Sequence, residues 1–217
     1  MSRIAEAIDH TLLNSNIERS QIETLCKEAI EHQFAAVCLP PYYVPFAHSL
    51  LHETPVKIAT VIGFPMGYST LFAKVEEIKR AVNDGADELD VVLNLSAVKD
   101  ENWNYVNNEI QSFTRAAHLK GKTLKLIIEA SVLSDEALKK ICEIASREQV
   151  DFIKTSSGFQ GGATPEMVSL IKKHLDSSIK LKASGGIKTL QQAIQLMDAG
   201  AQRLGTSSAI SILGEAE

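Results

Sequence analysis

Short apolar runs alternate with amphipathic stretches along the whole chain, the pattern of repeated strand and helix units around a parallel sheet. Eight runs read as strands: Ala7–Asp9, Ala35–Leu39, Lys57–Ile62, Glu88–Val92, Leu124–Ile128, Phe152–Lys154, Lys180–Ala183 and Arg203–Gly205. Helical periodicity fills the intervals at Glu18–His32, Val44–His52, Leu71–Asp84, Trp103–Leu119, Asp135–Glu148, Pro165–His174 and Leu190–Ala199, with a short last helix near Ser208–Leu213. Several ends carry matching chemistry. Thr164 and Pro165 form an N-cap and first-turn pair, and Gly85, Gly121 and Gly200 stand where helices stop. No interval is long enough for a linker, so residues 1–217 are predicted to form one domain, an α/β fold of the (β/α)8 TIM-barrel type. A doubly wound open sheet is the alternative fold. It calls for a glycine-rich first crossover, and Asp9-His10-Thr11-Leu12-Leu13 contains no glycine.

In such a barrel the chemistry sits at the C-terminal ends of the strands and in the loops behind them. Polar and titratable residues recur there: Asp9 and Thr11, Cys38, Gly63 to Gly67, Asp90 and Asn94, Glu129, Lys154, Lys182, and Gly205 to Ser208. Alternation along each strand sorts them. With Asp90 inward, Leu89 and Val91 face the helices; with Lys154 and Lys182 inward, Ile153 and Leu181 do the same. Cys38 obeys the same parity. Glu88 and Lys180 then also point inward, which suits only the lower mouth of the barrel.

Lys154, in Asp151-Phe152-Ile153-Lys154-Thr155-Ser156-Ser157-Gly158, is by itself an ordinary strand-end lysine reaching solvent. Its neighbour changes that. Lys182 falls on the adjacent strand, which sets the two ammonium groups about 5 Å apart. At an effective dielectric near 20 they repel by roughly 3 kcal/mol, a little over two units from an ordinary lysine value near 10.4. One of the two is pushed towards the free amine, the form that makes Schiff bases with carbonyl compounds, and the other keeps its charge. Position favours Lys154 as nucleophile, because Lys182 precedes Ala183-Ser184-Gly185-Gly186, where a cation can also face a phosphate. Asp90 can hold Lys182 and move protons through a water.

Gly185 and Gly186 behind the seventh strand, and Gly205 to Ser208 behind the eighth, expose backbone N–H groups at the usual phosphate position of these barrels. Together these two turns form the expected phosphate site. Asp9, Thr11, Cys38 and Thr155 complete the expected substrate-binding set, with Cys38 read as a small packed residue rather than a nucleophile.

Composition narrows the partners. A net charge of −5 argues against nucleic acid and membrane surfaces, and no apolar signal core or membrane-length run is found. Three cysteines without a C-x-x-C pair suggest a reducing, cytoplasmic setting, and six histidines without H-x-H or H-E-x-x-H spacing suggest no metal. No cofactor is expected. The predicted partner is a small molecule, and a homo-oligomer is compatible with the sequence.

Longer motifs then identify a family. Asp9-His10-Thr11-Leu12, Ala36-Val37-Cys38-Leu39-Pro40, Val61-Ile62-Gly63-Phe64-Pro65-Met66-Gly67 and Gly85-Ala86-Asp87-Glu88-Leu89-Asp90-Val91-Val92 are joined by Phe152 to Phe159 and by Lys182-Ala183-Ser184-Gly185-Gly186-Ile187. Over nearly its whole length the chain resembles the deoxyribose-phosphate aldolase family. The resemblance implies a (β/α)8 barrel and a metal-independent class I aldolase, a lyase that reversibly cleaves 2-deoxy-D-ribose 5-phosphate into D-glyceraldehyde 3-phosphate and acetaldehyde. By matching position it makes Lys154 the Schiff-base residue, Lys182 the neighbouring cation and Asp90 the proton-transfer partner, and it places phosphate contacts on Gly185, Gly186, Ser207 and Ser208.

Two features depart from the family pattern. Many members continue to a C-terminal tyrosine implicated in proton transfer, whereas this chain ends Leu213-Gly214-Glu215-Ala216-Glu217; proton exchange at the enamine carbon is therefore expected to be slower. Glu129-Ala130 lacks the threonine common after that glutamate. Two other functions compete: a Schiff-base aldolase with another donor, such as pyruvate or dihydroxyacetone phosphate, and a non-catalytic barrel that binds a sugar phosphate. The strand ends offer no extra basic residue for a donor carboxylate or second phosphate.

Overall fold

The computed structural model describes residues 2–215. Its strands are β1 Ile8–Thr11, β2 Ala36–Leu39, β3 Lys57–Ile62, β4 Glu88–Val92, β5 Thr123–Ile127, β6 Phe152–Lys154, β7 Lys180–Ser184 and β8 Arg203–Thr206. Every neighbouring pair is parallel, and β8 returns to β1 to close the barrel in chain order. The helices are α1 Ser2–Ala5, α2 Arg19–Glu31, α3 Val44–Leu51, α4 Leu71–Asn83, α5 Leu95–Lys99, α6 Trp103–His118, α7 Asp135–Arg147, α8 Pro165–His174, α9 Leu190–Asp198 and α10 Ala209–Gly214. The eight-fold barrel expected from the alternation of apolar runs is the fold observed. None of the described helices is long and apolar enough to cross a membrane.

Both faces of a barrel strand are covered, so the strands read as nearly continuous apolar runs. Leu89, Val91, Leu126, Ile153 and Leu181 face outward into one large core with Ile78, Ile110 and Ile141 of the helix layer. The inner face is divided by chemistry. On β2 and β3 it is apolar, with Ala36, Cys38, Ala59 and Val61 packed beneath Leu13 and Phe64. From β4 round to β1 it carries the charged residues, Asp90, Lys125, Lys154, Lys182 and Asp9, all buried.

Boundaries differ from expectation by a residue or two, each for a local reason. β1 runs on to Thr11, β7 to Ser184 and β8 to Thr206, because these residues still pair with Cys38, Gly205 and His10 across the ladder. β5 stops before Ile128 because Glu129 adopts a left-handed backbone, φ 49°. Four short elements escaped the sequence pattern: α1, α5 and 3-10 turns at Pro41–Tyr43 and Ala130–Val132. The Asn94 side chain starts α5 by accepting from Ala97 N at 3.2 Å. Thr164 caps α8 as anticipated, accepting from Met167 N at 3.2 Å.

Among the described residues, one ion pair with both side chains fully enclosed lies outside the barrel. Lys74 of α4 and Glu109 of α6 meet at 2.8 Å with both side chains fully enclosed. Lys74 Nζ also donates to Val92 O at 2.9 Å, and the second Glu109 oxygen accepts from Asn94 N at 2.9 Å. The pair therefore pins the end of β4 and the start of α5. Close by, Gly67 (φ 71°) sits so tightly on the same turn that a Cβ would fall 2.2 Å from Leu93 O, a position only glycine fits.

Candidate active site

Asp90 is the centre of the polar interior. Its Oδ2 accepts from Lys154 Nζ at 2.8 Å and from Lys182 Nζ at 2.7 Å, while Oδ1 accepts from Lys125 Nζ at 2.8 Å. Lys154 and Lys182 are direct partners in the β6–β7 register, as parity along these strands requires. A second layer lies below. Lys182 also donates to Asp9 Oδ2, Lys125 stands 2.5 Å from Glu88 Oε2, and Arg203 Nη1 donates to Asp9 Oδ1 at 2.5 Å. Four cations thus face three carboxylates.

Those contacts decide the protonation states. Burial alone pushes the Asp90 carboxyl up, but Lys125, Lys154 and Lys182 together outweigh it and hold Asp90 well below the usual carboxylate range. Asp9 behaves alike: burial raises it, and Lys182, Lys125 and Arg203 pull it far down. For Lys182, burial favours the neutral amine, yet Asp9 and Asp90 prevail and keep it firmly protonated. Lys125 is likewise raised, by Asp90 and Glu88 against the cost of burial. The Cys38 thiol, 4.0 Å from Asp90 Oδ2, is pushed up by burial and stays neutral. Expectation therefore needs one correction. The two lysines are not an isolated repelling pair, because a shared carboxylate oxygen lies between them and a third lysine takes the other oxygen.

A cavity of about 300 Å³ opens above the cluster at the C-terminal mouth, with Lys154 in its floor. Thr11, Gly185, Gly186 and Ser207 line its walls, together with Ser184, Gly205 and Lys188. Gly185 and Gly186 are both left-handed, at φ 87° and 76°, and a Cβ on Gly185 would meet Gly161 O at 2.8 Å. A larger groove, about 610 Å³, runs outside the barrel beside Trp103 and Lys140 and touches none of the charged cluster.

Not every anticipated contact reaches the cavity. Asp9, Cys38 and Thr155 are fully buried and lie outside its lining. Asp9 supports Lys182. The Thr155 hydroxyl accepts from Ser184 N at 3.1 Å, which ties the end of β6 to β7. Ser208 stands at the N-cap of α10, its N–H given to Thr206 Oγ1 at 2.9 Å, and only Ser207 of that pair lines the cavity. Glu129 is buried behind the β6 loop, where one oxygen accepts from Ser157 N and the other has no partner.

Three participants were not singled out from the sequence: Lys125, Arg203 and Lys188. The signal for Lys125 was present, since Leu124, Leu126 and Ile128 face the helices by the parity that revealed Lys154. Arg203 opens β8, where a basic residue reads as solvent-facing. Lys188 follows the Gly185-Gly186 turn and looks like a loop cation.

Comparison with known proteins places the whole chain. The DeoC/LacD family aldolase model matches residues 3–212. The deoxyribose-phosphate aldolase of Caldicellulosiruptor saccharolyticus is 45% identical over 214 residues, 98% of this chain and 97% of the relative. That of Thermococcus kodakarensis is 46% identical over 213 residues, 97% and 95% of the two chains. The solved deoxyribose phosphate aldolase of Aeropyrum pernix, described as tetrameric, superposes with a TM-score of 0.93 at 32% identity, covering 99% of this chain and 91% of its own. Matched in sequence from end to end and in the closed barrel, the chain belongs to the DeoC/LacD family of aldolases.

Proposed function

We propose that this aldolase cleaves 2-deoxy-D-ribose 5-phosphate through a Schiff base on Lys154. The observation that carries the proposal is the placement of Lys154: alone among the three clustered lysines it lines the cavity, while Lys182 and Lys125 lie fully enclosed behind it. The Lys154 amine adds to the C1 aldehyde of the open-chain sugar, and the carbinolamine loses water to give a protonated imine. A base then takes the proton from the C3 hydroxyl. The C2–C3 bond breaks, its electrons move into the imine to form an enamine, and C3 leaves as the aldehyde of glyceraldehyde 3-phosphate. Protonation at C2 and hydrolysis release acetaldehyde and restore the amine.

Asp90 and Lys182 supply the proton traffic. Asp90 Oδ2 bridges the two lysine nitrogens at 2.8 and 2.7 Å, so it can pass a proton between Lys154, Lys182 and a water in the cavity. Gly185, Gly186 and Ser207 form the phosphate wall, and Lys188 faces the same space. Asp9, Cys38 and Thr155 act on the substrate only through what they hold in place.

Three unpaired, buried cysteines suit a reducing cytoplasm, and the tetrameric Aeropyrum pernix relative supports a homo-oligomer as the working form. Borohydride reduction in the presence of acetaldehyde or deoxyribose 5-phosphate, followed by peptide mass mapping, tests the mechanism. The expected result is a mass increment on Lys154, abolished in Lys154→Met. An unmodified Lys154 in the native enzyme overturns it, and a substrate panel with pyruvate and dihydroxyacetone phosphate checks the donor.

A further inference from the structure

Arg203 sits at the lower mouth of the barrel, away from the cavity. Its side chain is 15% exposed and packs over the Phe152 ring at 5.6 Å. One guanidinium nitrogen donates to Asp9 Oδ1 at 2.5 Å, and the two nitrogens reach the Glu88 oxygens at 3.3 and 3.2 Å. This fork leaves Asp9 Oδ2 for Lys182 and keeps Glu88 Oε2 against Lys125. Arg203 thus orients both carboxylates that hold the two enclosed lysines.

It also sets a charge count. Around Lys154 the inward positions carry Asp90 and Glu88 from β4, Lys125 from β5, Lys182 from β7, Arg203 from β8, Asp9 from β1 and the neutral Cys38 from β2, while β3 offers Ala59 and Val61; Lys180 of β7, over the Phe152 ring at 5.6 Å, and Lys57 of β3 share this parity but are exposed at the strand starts. With Lys154 protonated, four cations stand against three carboxylates among the groups that are not exposed, Lys180 and Lys57 having their charges in solvent. With Lys154 as the amine, three stand against three. Lys125, Lys182 and Arg203 are each held in the charged form by their carboxylates, and of the four cations Lys154 is the one that lines the cavity.

We infer that Arg203 is a positioning residue for the Schiff-base step, which from the far end of the barrel supplies the surplus positive charge that releases the Lys154 amine for reaction. This rests on Lys154 being the nucleophile. A unit charge roughly 10 Å from a titrating group, at an effective dielectric near 20, moves its proton equilibrium about tenfold. Methionine at 203 balances the cluster while Lys154 still holds its proton, whereas glutamine at 88 increases the surplus to two.

The test is the pH profile of kcat/KM for retro-aldol cleavage. In Arg203→Met the acidic limb should move up by about one pH unit, an approximately tenfold loss on that limb that is recovered at higher pH. Arg203→Lys should restore the native profile. Glu88→Gln, nearly isosteric, should move the limb the opposite way, and it decides the matter if Arg203→Met does not fold. Limbs unmoved in folded Arg203→Met, or unmoved or shifted upward in Glu88→Gln, overturn the inference. Borohydride trapping separates it from the mechanism beneath: an adduct on Lys154 with unmoved limbs defeats the role of Arg203 alone, whereas no adduct in the native enzyme at any pH defeats the Schiff base itself.

Discussion

Asp90 takes three lysines on two oxygens, which makes it the residue whose loss disturbs most. Asparagine keeps the shape but presents an amide N–H₂ to one of the ammonium groups and removes the charge that offsets their mutual repulsion. Breaking a buried ionic network at one partner costs about 3–5 kcal/mol, and losing a positioned proton carrier costs about 10²–10⁴ in rate. Asp90→Asn is therefore expected to lower the urea midpoint markedly and to reduce kcat by at least 100-fold, with KM for the sugar phosphate changed less. A kcat within threefold of native would remove Asp90 from the proton path. At this scale the sequence was legible wherever a charged residue interrupted an apolar strand with inward parity. Lys154 closes β6, and Asp90 and Lys182 stand third of five in β4 and β7; Lys125, also third of five in β5, obeys the same parity, but on that strand Glu129 at the following turn drew the functional reading.

Elements were legible in proportion to their length and regularity. The eight strands and the longer helices follow from alternation and periodicity, whereas α5 is only five residues long and depends on one Asn94 cap and on the Lys74–Glu109 pair beneath it. Such a pair joins residues 35 positions apart on two helices, so nothing local announces it. Burial pushes the Lys74 ammonium down and the Glu109 carboxyl up, with each partner pulling the other back, the mark of an ion pair whose desolvation is only partly offset. Lys74→Met alone leaves Glu109 charged without a partner and should cost about 3–5 kcal/mol in urea unfolding. The double variant Lys74→Met, Glu109→Leu should recover most of that loss. If the double variant were no more stable than the single, the pair would be needed for its bonds to Val92 O and Asn94 N rather than for its charge.

Across the molecule the barrel interior sets how stability depends on pH. Asp9 and Asp90 titrate lower in the folded protein than in the unfolded chain, so their contribution is complete above the ordinary aspartate value near 3.9 and is lost as pH falls below it. Lys125 and Lys182 titrate higher when folded, and their contribution is complete below the ordinary lysine value near 10.4 and is lost as pH rises past it. Glu109 works in the opposite sense just above its ordinary value, since its folded carboxyl holds its proton longer than the unfolded one. Lys74 opposes in the same way at alkaline pH. Removing that pair in the double variant leaves the barrel cluster and the buried thiols Cys26, Cys38 and Cys142, all pushed up by burial, to shape the curve. The urea midpoint of the Lys74→Met, Glu109→Leu protein should then stay level from about pH 5 to about pH 8 and fall on both sides, on the alkaline side first because the unfolded chain gives up thiol protons that the folded one keeps. A decline already under way between pH 7 and pH 5 would mean that Asp9 and Asp90 are not held down by their lysines, and the interlocked interior from which the aldolase mechanism was drawn would have to be rebuilt.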